Sequence, residues 1–344
     1  MLRIYLLLTL LSAVLTNNAQ AYDARLYHRL AAFHAPVVFQ KTGHNPKADA
    51  ITRFDFDGDF AGNNNWKNLE TAATPAAAYY DVRETKTHYF VMYAYFHPRD
   101  YSYFCIPWIC HENDLEGVML TIEKSKSDWQ GRVVAIQTLA HDRIYTHEGI
   151  GGIRPIEETD VRAPAAQAAS KKTAIFIEWG GHGIYAWDPA EQKKLDTDKP
   201  TYLYTHEQLM QLAAEKHAKD WLVYEFGPEA QDPNGADHGI YSYELLPIHD
   251  ELWSRREMVG KGHVFTKLFD FKGERFSIAD VPEAFAGEKY GNGRARPPWA
   301  WKDMFSGSDN RGEWFLDPAV YVAKKLKKYA KDISLDYIHN PYVH

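Results

Sequence analysis

The sequence predicts a mainly β protein, a β-sandwich with helices at its periphery. The first observation is composition, because the chain contains 10 Trp and 22 Tyr, and aromatic residues are enriched in strands. The second is a series of short β-like runs separated by turn-prone stretches, without strong helices between them. A doubly wound fold would alternate strands with helices, so these observations favour a sandwich.

The first 21 residues have the pattern of a secretory signal peptide. Arg3 provides the basic start, residues 4–15 the apolar core, and residues 19–21 a small-residue cleavage site. That core is shorter than the roughly 20 apolar residues a membrane-spanning helix needs, and no later segment is long enough. We therefore expect a secreted or periplasmic protein with no transmembrane segment after signal removal. The alternative is a retained membrane anchor.

The mature chain, residues 22–344, is expected to contain 344 − 21 = 323 residues. We predict a single β-sandwich domain, with residues 251–344 as a C-terminal aromatic and helical extension. Loss of Arg3 with the signal changes the formal net charge from −7 to −8. Nucleic acid is not an expected partner, because an acidic chain lacks the basic field that such binding normally uses.

The strands and helices of the mature chain follow from local patterns. Strands are expected at 88–96, 117–123, 133–139, 173–179, 222–226 and 240–246. Helices are expected at 23–32, 205–219 and 318–329. Thr205 can cap the second helix, while Asp317 and Pro318 suit the N-cap and first position of the third.

The segment 111–117, His-Glu-Asn-Asp-Leu-Glu-Gly, contains the candidate site. Asp114 and Glu116 are two residues apart, so on an extended chain they point to the same face. Two carboxylates on one face repel unless a positive charge lies between them, and a divalent cation is the simplest candidate. His111 can fold back from the preceding turn to join them. The alternative is a solvated strand end.

Asp100 follows the aromatic strand and precedes this segment by only a short loop. If the two strands pair as a hairpin, Asp100, His111, Asp114 and Glu116 converge at one end of the sheet. A ligand set made mostly of oxygen favours Mg²⁺, Ca²⁺ or Mn²⁺ over Zn²⁺.

His182 is a further candidate, because three glycines surround it in the segment 180–183. Glycines let the backbone turn tightly, and we expect them to leave the ring exposed. On such a turn the imidazole could serve as a metal ligand, as a catalytic general base or as a substrate contact.

The two cysteines, Cys105 and Cys110, lie in the loop between Asp100 and His111. An exported protein meets an oxidising compartment, which favours a disulfide that would fix the residue before His111. A free pair or a metal-binding pair is the alternative.

A second acidic cluster comprises Asp55, Asp57 and Asp59. Aspartates at alternate positions with a glycine resemble part of a calcium loop. This cluster is a candidate second cation site, and the alternative is a polar turn, in which Asp, Asn and Gly are common.

Two stretches of the chain resemble known families. The run 88–100, followed by 111–117 and an apolar strand, resembles the necrosis-inducing (necrosis- and ethylene-inducing-like) cytolysins. That family has a turn ending in Asp and then Gly-His-Arg-His-Asp-Trp-Glu before a Val-rich strand. The segment 180–185 resembles the Gly-x-His turn of the related vacuolar protein sorting-associated protein 62-like proteins.

The first resemblance implies a divalent-cation site at four positions of this chain, which are Asp100, His111, Asp114 and Glu116. Three other family positions differ, because Cys110, Asn113 and Leu115 stand where the family has Gly, His and Trp. The resemblance covers roughly residues 35–250 and implies the sandwich fold and the cation site more strongly than toxic activity.

Three functions remain open at this stage. The first is a secreted, cation-binding sandwich protein that recognises a lipid head group or a glycan at a membrane or cell surface. The second is a metal-assisted hydrolase, phosphoesterase-like, with His182 or His111 as the base. The third is an envelope protein in which the cation only staples loops. The sequence contains no nucleophilic Ser motif, no phosphate-binding Gly-rich loop and no dinucleotide fingerprint.

Overall fold

The computed structural model describes residues 24–106, 109–150, 171–215, 220–235, 239–260, 263–273, 275–289, 295–306, 310–326 and 332–342. The expected signal peptide at 1–21 lies outside these residues. The strands are β1 (Val37–Lys41), β2 (Ala77–Thr85), β3 (His88–Asp100), β4 (His111–Glu123), β5 (Arg132–Ala140), β6 (Arg143–Glu148), β7 (Lys171–Ile177), β8 (Ile184–Asp188), β9 (Lys193–Leu195), β10 (Leu203–Thr205), β11 (Trp221–Phe226), β12 (Ile240–Pro247), β13 (Phe265–Gly273), β14 (Phe276–Phe285) and β15 (Tyr337–His339).

The helices are short and peripheral. They are α1 (residues 24–34), α2 (Asn65–Asn68), α3 (His206–Glu215), α4 (Ile248–Glu251), α5 (Glu313–Leu316) and α6 (Pro318–Lys325), with 3₁₀ turns at Pro233–Gly235, Trp253–Arg255 and Pro298–Ala300. The part of the chain that the structure describes contains no helix long and apolar enough to cross a membrane.

One large sheet has the strand order β6-β5-β4-β3-β2-β12-β11-β1-β7-β8-β9, with β10 paired to β7 and β15 to β2. It curls until β5 approaches β8, so that its two halves face each other. The strands β13 and β14 form a separate antiparallel ribbon. The prediction of a mainly β, sandwich-like fold with peripheral helices is confirmed.

The hydrophobic core has an inner and two outer parts. Inside the curl, aliphatic and tyrosine side chains such as Val91, Leu120 and Tyr243 pack together. One outer face, on the β1–β7–β11 side, is covered by α3 through Leu209. The other, on the β2–β5 side, is covered by the chain beyond residue 250. This last layer brings C-terminal residues to the end of β3 and β4.

The antiparallel hairpin of β3 and β4 positions the candidate site. Its register places Asp100 opposite His111 and His97 opposite Asp114. The hairpin expected from the sequence is therefore confirmed, and β4 begins at His111, six residues before the predicted start. This early start puts the acidic segment inside the strand.

The predicted helix caps are also confirmed. Thr205 Oγ1 accepts a hydrogen bond from the Gln208 backbone N–H, and the Gln208 side chain accepts one from the Thr205 backbone, which is a capping box. Asp317 accepts from the backbone of Val320 at the start of α6, whose first residue is Pro318.

Candidate functional site

A cavity of about 450 Å³ opens at the end of β3 and β4. The four candidate ligands from the sequence, Asp100, His111, Asp114 and Glu116, all line it. The remaining polar and aromatic lining comes from His141, Asp142, Lys267, Glu283, Arg296, Trp301 and Arg311. The hairpin thus gathers the predicted residues in one place, and the C-terminal region provides an opposite wall.

Asp100 and His111 form a pair at the edge of the cavity. His111 Nε2 lies 3.2 Å from Asp100 Oδ2, and His111 Nδ1 lies 2.8 Å from the Asn113 carbonyl oxygen. Because a carbonyl only accepts, Nδ1 carries a proton and Nε2 faces the carboxylate. Burial lowers the pKa of His111, but Asp100 outweighs burial and the net shift is upward. The backbone contact therefore fixes the tautomer that leaves Nε2 for a cation.

Asp114 is positioned from behind by His182. His182 Nδ1 lies 3.0 Å from Asp114 Oδ2, and its Nε2 lies 3.3 Å from Oδ1 of the buried Asp49. Burial lowers the pKa of His182, but the two aspartates outweigh it and raise this pKa to about 9. The imidazole is therefore held as a cation between two carboxylates.

The expectation that the glycines leave the His182 ring exposed is wrong, because the residue is 0% exposed. Its ring stacks on His97 with centroids 3.8 Å apart, and its backbone is left-handed, with a φ of 51°. A ring with both nitrogens engaged by aspartates is placed to orient Asp114. The role of His182 as a catalytic base stays a prediction that this burial does not favour.

Asp49 anchors that arrangement and was not recognised from the sequence. It accepts hydrogen bonds from the backbones of Gly43 and Gly180, each at 2.8 Å, and from the Tyr101 hydroxyl at 2.5 Å. Only the fold brings these donors together, since Asp49 and Gly180 are 131 residues apart.

Glu116 has one engaged and one unengaged oxygen. Its Oε1 accepts from the His141 backbone N–H at 3.4 Å, whereas Oε2 is buried without a hydrogen-bond partner among the described residues. Burial, followed by the nearby charge of Asp114, raises the pKa of Glu116 well above its usual range, and Arg296 opposes this shift. A buried acceptor without a donor is unfavourable, so this oxygen marks a place for a positive partner.

The turn between β5 and β6 forms one rim of the cavity. Its two residues, His141 and Asp142, have φ values of 50° and 66°, a strained conformation for residues other than glycine. Asp142 pairs with Arg296, and His141 Nε2 pairs with Glu178 Oε1. The sequence reasoning missed this turn, because His-Asp lacks the glycine of the usual two-residue hairpin signals.

The opposite wall belongs to the C-terminal region. Trp301 donates from Nε1 to the Leu115 carbonyl at 3.0 Å, and its ring lies against Gly117, where a Cβ would be 2.5 Å from Cη2. Arg311 pairs with Glu283 at 2.6 Å and lies over the Phe269 ring at 4.9 Å. Neither Arg311 nor Arg296 lies in a sequence motif that could have revealed it.

Asn113, which stands where the resembling family has a second His, has a structural role here. It has a φ of 62°, and its amide nitrogen donates to the carbonyls of Gly62 and Ala286, both at 2.6 Å. The neighbouring Glu112 accepts from three backbone N–H groups. The two side chains therefore tie the C-terminal segment to β4.

The cysteines form a disulfide between Cys105 and Cys110. This confirms the predicted pairing and excludes the free or metal-binding pair. Cys110 is buried immediately before His111, so the disulfide fixes the start of β4.

The second acidic cluster has separate partners for each carboxylate. Asp55 pairs with Arg53, Asp57 accepts from the Asn68 amide, and Asp59 accepts from the Asn64 amide. These contacts are those of a polar turn, and the second cation site stays a prediction.

Across the described ranges, no three His, Cys, Asp or Glu side chains are grouped closely enough to hold a metal ion as they stand. Two features of the cavity nevertheless fit a hard cation. The unpartnered Glu116 Oε2 needs a positive partner, and three carboxylates with one imidazole are a donor set that suits Mg²⁺, Ca²⁺ or Mn²⁺. Side-chain rotations would have to bring these donors together.

No family model matches the chain, and no curated protein matches its sequence. Solved structures do resemble it. A non-toxic HaNLP3 protein is 14% identical, covering 56% of this chain and 80% of its own, with a TM-score of 0.33. NLPPya in complex with glucosamine is 16% identical, covering 56% and 79%, with a TM-score of 0.27. Necrosis and Ethylene inducing Protein 2 from the causal agent of cocoa's Witches Broom disease is 16% identical, covering 37% and 50%, with a TM-score of 0.23.

The names of these structures agree with the resemblance to necrosis- and ethylene-inducing-like proteins that the 88–117 motifs indicate. The resemblance to vacuolar protein sorting-associated protein 62-like proteins stays a prediction. Identities of 14–16% with TM-scores of 0.33 or less support no argument about ligands or activity.

Proposed function

We propose that this protein is an exported, divalent-cation-binding protein that recognises a polar head group or a glycan at a membrane or cell surface. The observation that carries the proposal is the buried, unpartnered Glu116 Oε2, which lies in a cavity shared with Asp114, Asp100 and His111. Export rests on the signal-like residues 1–21.

The charge of the cavity supports a divalent ion. Its lining contains five acids, Asp100, Asp114, Glu116, Asp142 and Glu283, and three bases, Lys267, Arg296 and Arg311. With all five acids ionised and both imidazoles neutral, the state that a bound cation would favour, the formal sum is 3 − 5 = −2, which one divalent cation would cancel. Three carboxylates concentrated at the strand ends place that negative charge on one wall.

The donor count supports an external ligand. If Asp100, His111, Asp114 and Glu116 each bind through one atom, they supply four ligands, whereas Mg²⁺ takes six and Ca²⁺ six to eight. At least two positions would then remain for water or for oxygens of a head group or sugar. The cavity of about 450 Å³ has room for a group of that size.

The test compares the wild type with a doubly substituted variant, Asp114→Asn with Glu116→Gln. We expect the wild type to bind about one Mg²⁺, Ca²⁺ or Mn²⁺ in calorimetry and the variant to bind none. Glu123→Gln is the matched control, because Glu123 is an exposed acid at the other end of the same strand. Equal cation binding by the wild type and the double variant would contradict the proposal.

A ligand screen on the cation-loaded protein completes the test. We expect binding to one class of glycan or head group that is lost on chelation. If chelation lowers the melting temperature but no ligand binds in any screen, the cation is structural, as in the envelope-protein alternative.

A metal-assisted hydrolase is the second candidate, and His141 favours it. This half-exposed imidazole lies in the cavity and is oriented by Glu178, an arrangement typical of a general base. A cation would lower the pKa of a bound water there. Turnover of phosphoesters by the wild type, lost in His141→Gln with cation binding intact, would establish this function in place of simple recognition.

A further inference from the structure

We infer that the cavity binds an oxyanion, such as the phosphate group of a phosphate ester, held between the cation and a basic wall formed by Arg296 and Arg311. This inference rests on the proposed function, because it specifies the ligand class of the same cavity. The residues that carry it come from the chain beyond residue 250.

The first support is the separation of charge across the cavity. The carboxylates of Asp100, Asp114 and Glu116 lie on the strand-end wall, and the bases Lys267, Arg296 and Arg311 lie with the C-terminal region. A divalent cation reduces the strand-end wall from −3 to −1. On the other wall, the three bases are opposed by Glu283 and by Asp142, which reaches Arg296 from the β5–β6 rim, and the sum is +1. A ligand spanning both walls meets the cation on one side and guanidinium groups on the other.

The second support is that both arginines are fixed in place. Arg296 pairs with Asp142 on the strained β5–β6 turn, while Arg311 pairs with Glu283 at 2.6 Å and lies over Phe269. A guanidinium has five N–H donors, so the pairing of Arg296 with Asp142 still allows Arg296 to donate to a ligand. Groups already held in position lose less entropy when a ligand binds.

The third support is chemical. An oxyanion has several oxygens, so one could bind a cation held by Asp100, Asp114 and Glu116 while others accept hydrogen bonds from Arg296. Guanidinium groups bind phosphate through paired, charge-assisted hydrogen bonds. A single hydroxyl group could bind the cation but could not also accept paired hydrogen bonds from a guanidinium.

The rigid attachment of this wall supports a binding role over a mobile flap. Trp301, five residues after Arg296, is 2% exposed and donates to the Leu115 carbonyl in the strand of the acidic residues. The segment that contains Arg296 is therefore packed against the strand that contains Asp114 and Glu116.

The experiment measures two affinities in each of four proteins, which are the wild type, Arg296→Gln, Arg296→Lys and the control Arg132→Gln. Arg132 is also ion-paired, with Glu123, but lies at the far end of β5. The first affinity is for Mg²⁺ alone, and the second is for glycerol 3-phosphate with Mg²⁺ saturating, beside uncharged glycerol.

We expect Arg296→Gln to change the two affinities in opposite directions. Phosphate binding should weaken by roughly ten- to a hundredfold, as loss of a charged hydrogen-bonding group predicts. Mg²⁺ binding should strengthen, because a positive charge near Glu116 has gone. Arg296→Lys should have an intermediate affinity for phosphate, since lysine retains the charge but lacks the paired N–H donors of a guanidinium. Arg132→Gln should match the wild type in both affinities.

The opposite signs separate a ligand contact from a purely structural role, because a misfolded cavity would weaken both affinities. Stronger Mg²⁺ binding with unchanged phosphate binding would overturn the inference and make Arg296 only a competitor of the cation. Binding of glycerol as tight as glycerol 3-phosphate, or phosphate binding without Mg²⁺, would also overturn it.

The same binding measurements distinguish a failure of this inference from a failure of the proposed function. Mg²⁺ binding with glycan binding but no phosphate preference overturns the inference alone, whereas a lack of Mg²⁺ binding overturns both. The source of the phosphate is resolved with phosphatidylglycerol vesicles. Binding to them that soluble glycerol 3-phosphate competes away assigns a lipid head group, and binding to the soluble ester alone assigns a soluble one.

Discussion

At the scale of single residues, Glu116 shows how burial and charge set the behaviour of the cavity. Its carboxyl is buried beside Asp114, and one of its oxygens has no partner in the described part of the chain. Burial of a charge costs free energy that only a partner recovers. The residue should therefore destabilise the cation-free protein and stabilise the cation-bound one.

Glu116→Gln and the wild type should exchange their order of stability between chelator and Mg²⁺. In chelator, the neutral amide should raise the free energy of unfolding by about 1–3 kcal/mol, the usual cost of a buried polar group left without a partner. In saturating Mg²⁺ the wild type should be the more stable protein. Urea unfolding under both conditions measures this, and a variant that is less stable than wild type in chelator would contradict it.

His34, which is not part of the cavity, should make the free energy of unfolding depend on pH. The residue is buried, its Nε2 donates to the Gln130 carbonyl at 2.8 Å, and Nδ1 has no partner among the described residues. Burial lowers the pKa of His34 to about 4. Because the unfolded chain takes up a proton near pH 6.5 and the folded chain near pH 4, the free energy of unfolding contributed by His34 is present above pH 6.5. It is lost as the pH falls towards 4.

The expected loss is on the order of 3 kcal/mol between pH 6.5 and 4. Urea unfolding at several pH values should show it as a difference between wild type and His34→Gln, which lacks the titrating ring. The exposed-site variant His206→Gln should follow the wild type. Parallel curves for wild type and His34→Gln would show that the His34 pKa is not lowered.

At the scale of elements, the β3–β4 hairpin assembles the acidic wall and the C-terminal segment holds it. The disulfide precedes His111 directly, and Trp301 donates to Leu115, the residue between Asp114 and Glu116. The contact of Trp301 with Gly117 is close enough that any side chain there would overlap the indole. The positions of the candidate ligands thus depend on a residue far along the chain.

A double-mutant cycle on Gly117 and Trp301 tests this dependence. Gly117→Ala should destabilise the protein by roughly 1–3 kcal/mol through overpacking. Trp301→Leu should cost about 3 kcal/mol or more by leaving a cavity and removing the hydrogen bond to Leu115. Because the smaller leucine makes room for the alanine methyl, the double variant should be more stable than the two single losses predict. Strict additivity in urea unfolding would show that the two residues do not interact.

The contacts that sequence reasoning predicted here are local ones. Asp100, His111, Asp114 and Glu116 lie within one hairpin, so strand pairing alone brings them together. The burial of His182 could not be predicted, because it depends on Asp49 and His97, which approach it only through the curl of the sheet. Arg296 and Arg311 were missed for the same reason, since no short spacing relates them to β4.

At the scale of the whole molecule, residues beyond 250 are part of the fold as well as of the cavity. Trp299 and Trp314 are fully buried, and Trp314 donates from Nε1 to Gln137 on β5 at 3.1 Å. The strand β15 extends the sheet through Tyr337 and Thr85. Composition predicted the aromatic and helical character of this region, but the ribbon of β13 and β14 and the strand β15 have weak local patterns and were not predicted.

The burial of this region predicts one cooperative unfolding transition for the whole chain. Removal of residues 251–344 would uncover the face of β2–β5 that Trp299, Trp301 and Trp314 now cover. Loss of one buried tryptophan side chain costs about 3–5 kcal/mol, so loss of three approaches the whole stability of a typical domain, about 5–15 kcal/mol. A chain ending at Asp250 should therefore lack a stable fold.

Calorimetry of the intact protein should give a single transition, with equal calorimetric and van't Hoff enthalpies. The chain ending at Asp250, started at the same residue as the intact control, should show weak near-ultraviolet circular dichroism and strong binding of a hydrophobic dye. Two resolved transitions, or a truncated chain with a sharp melting curve, would show that the C-terminal region is a separate unit. The cavity would then be an interface between two units, and its two walls could not be treated as one rigid site.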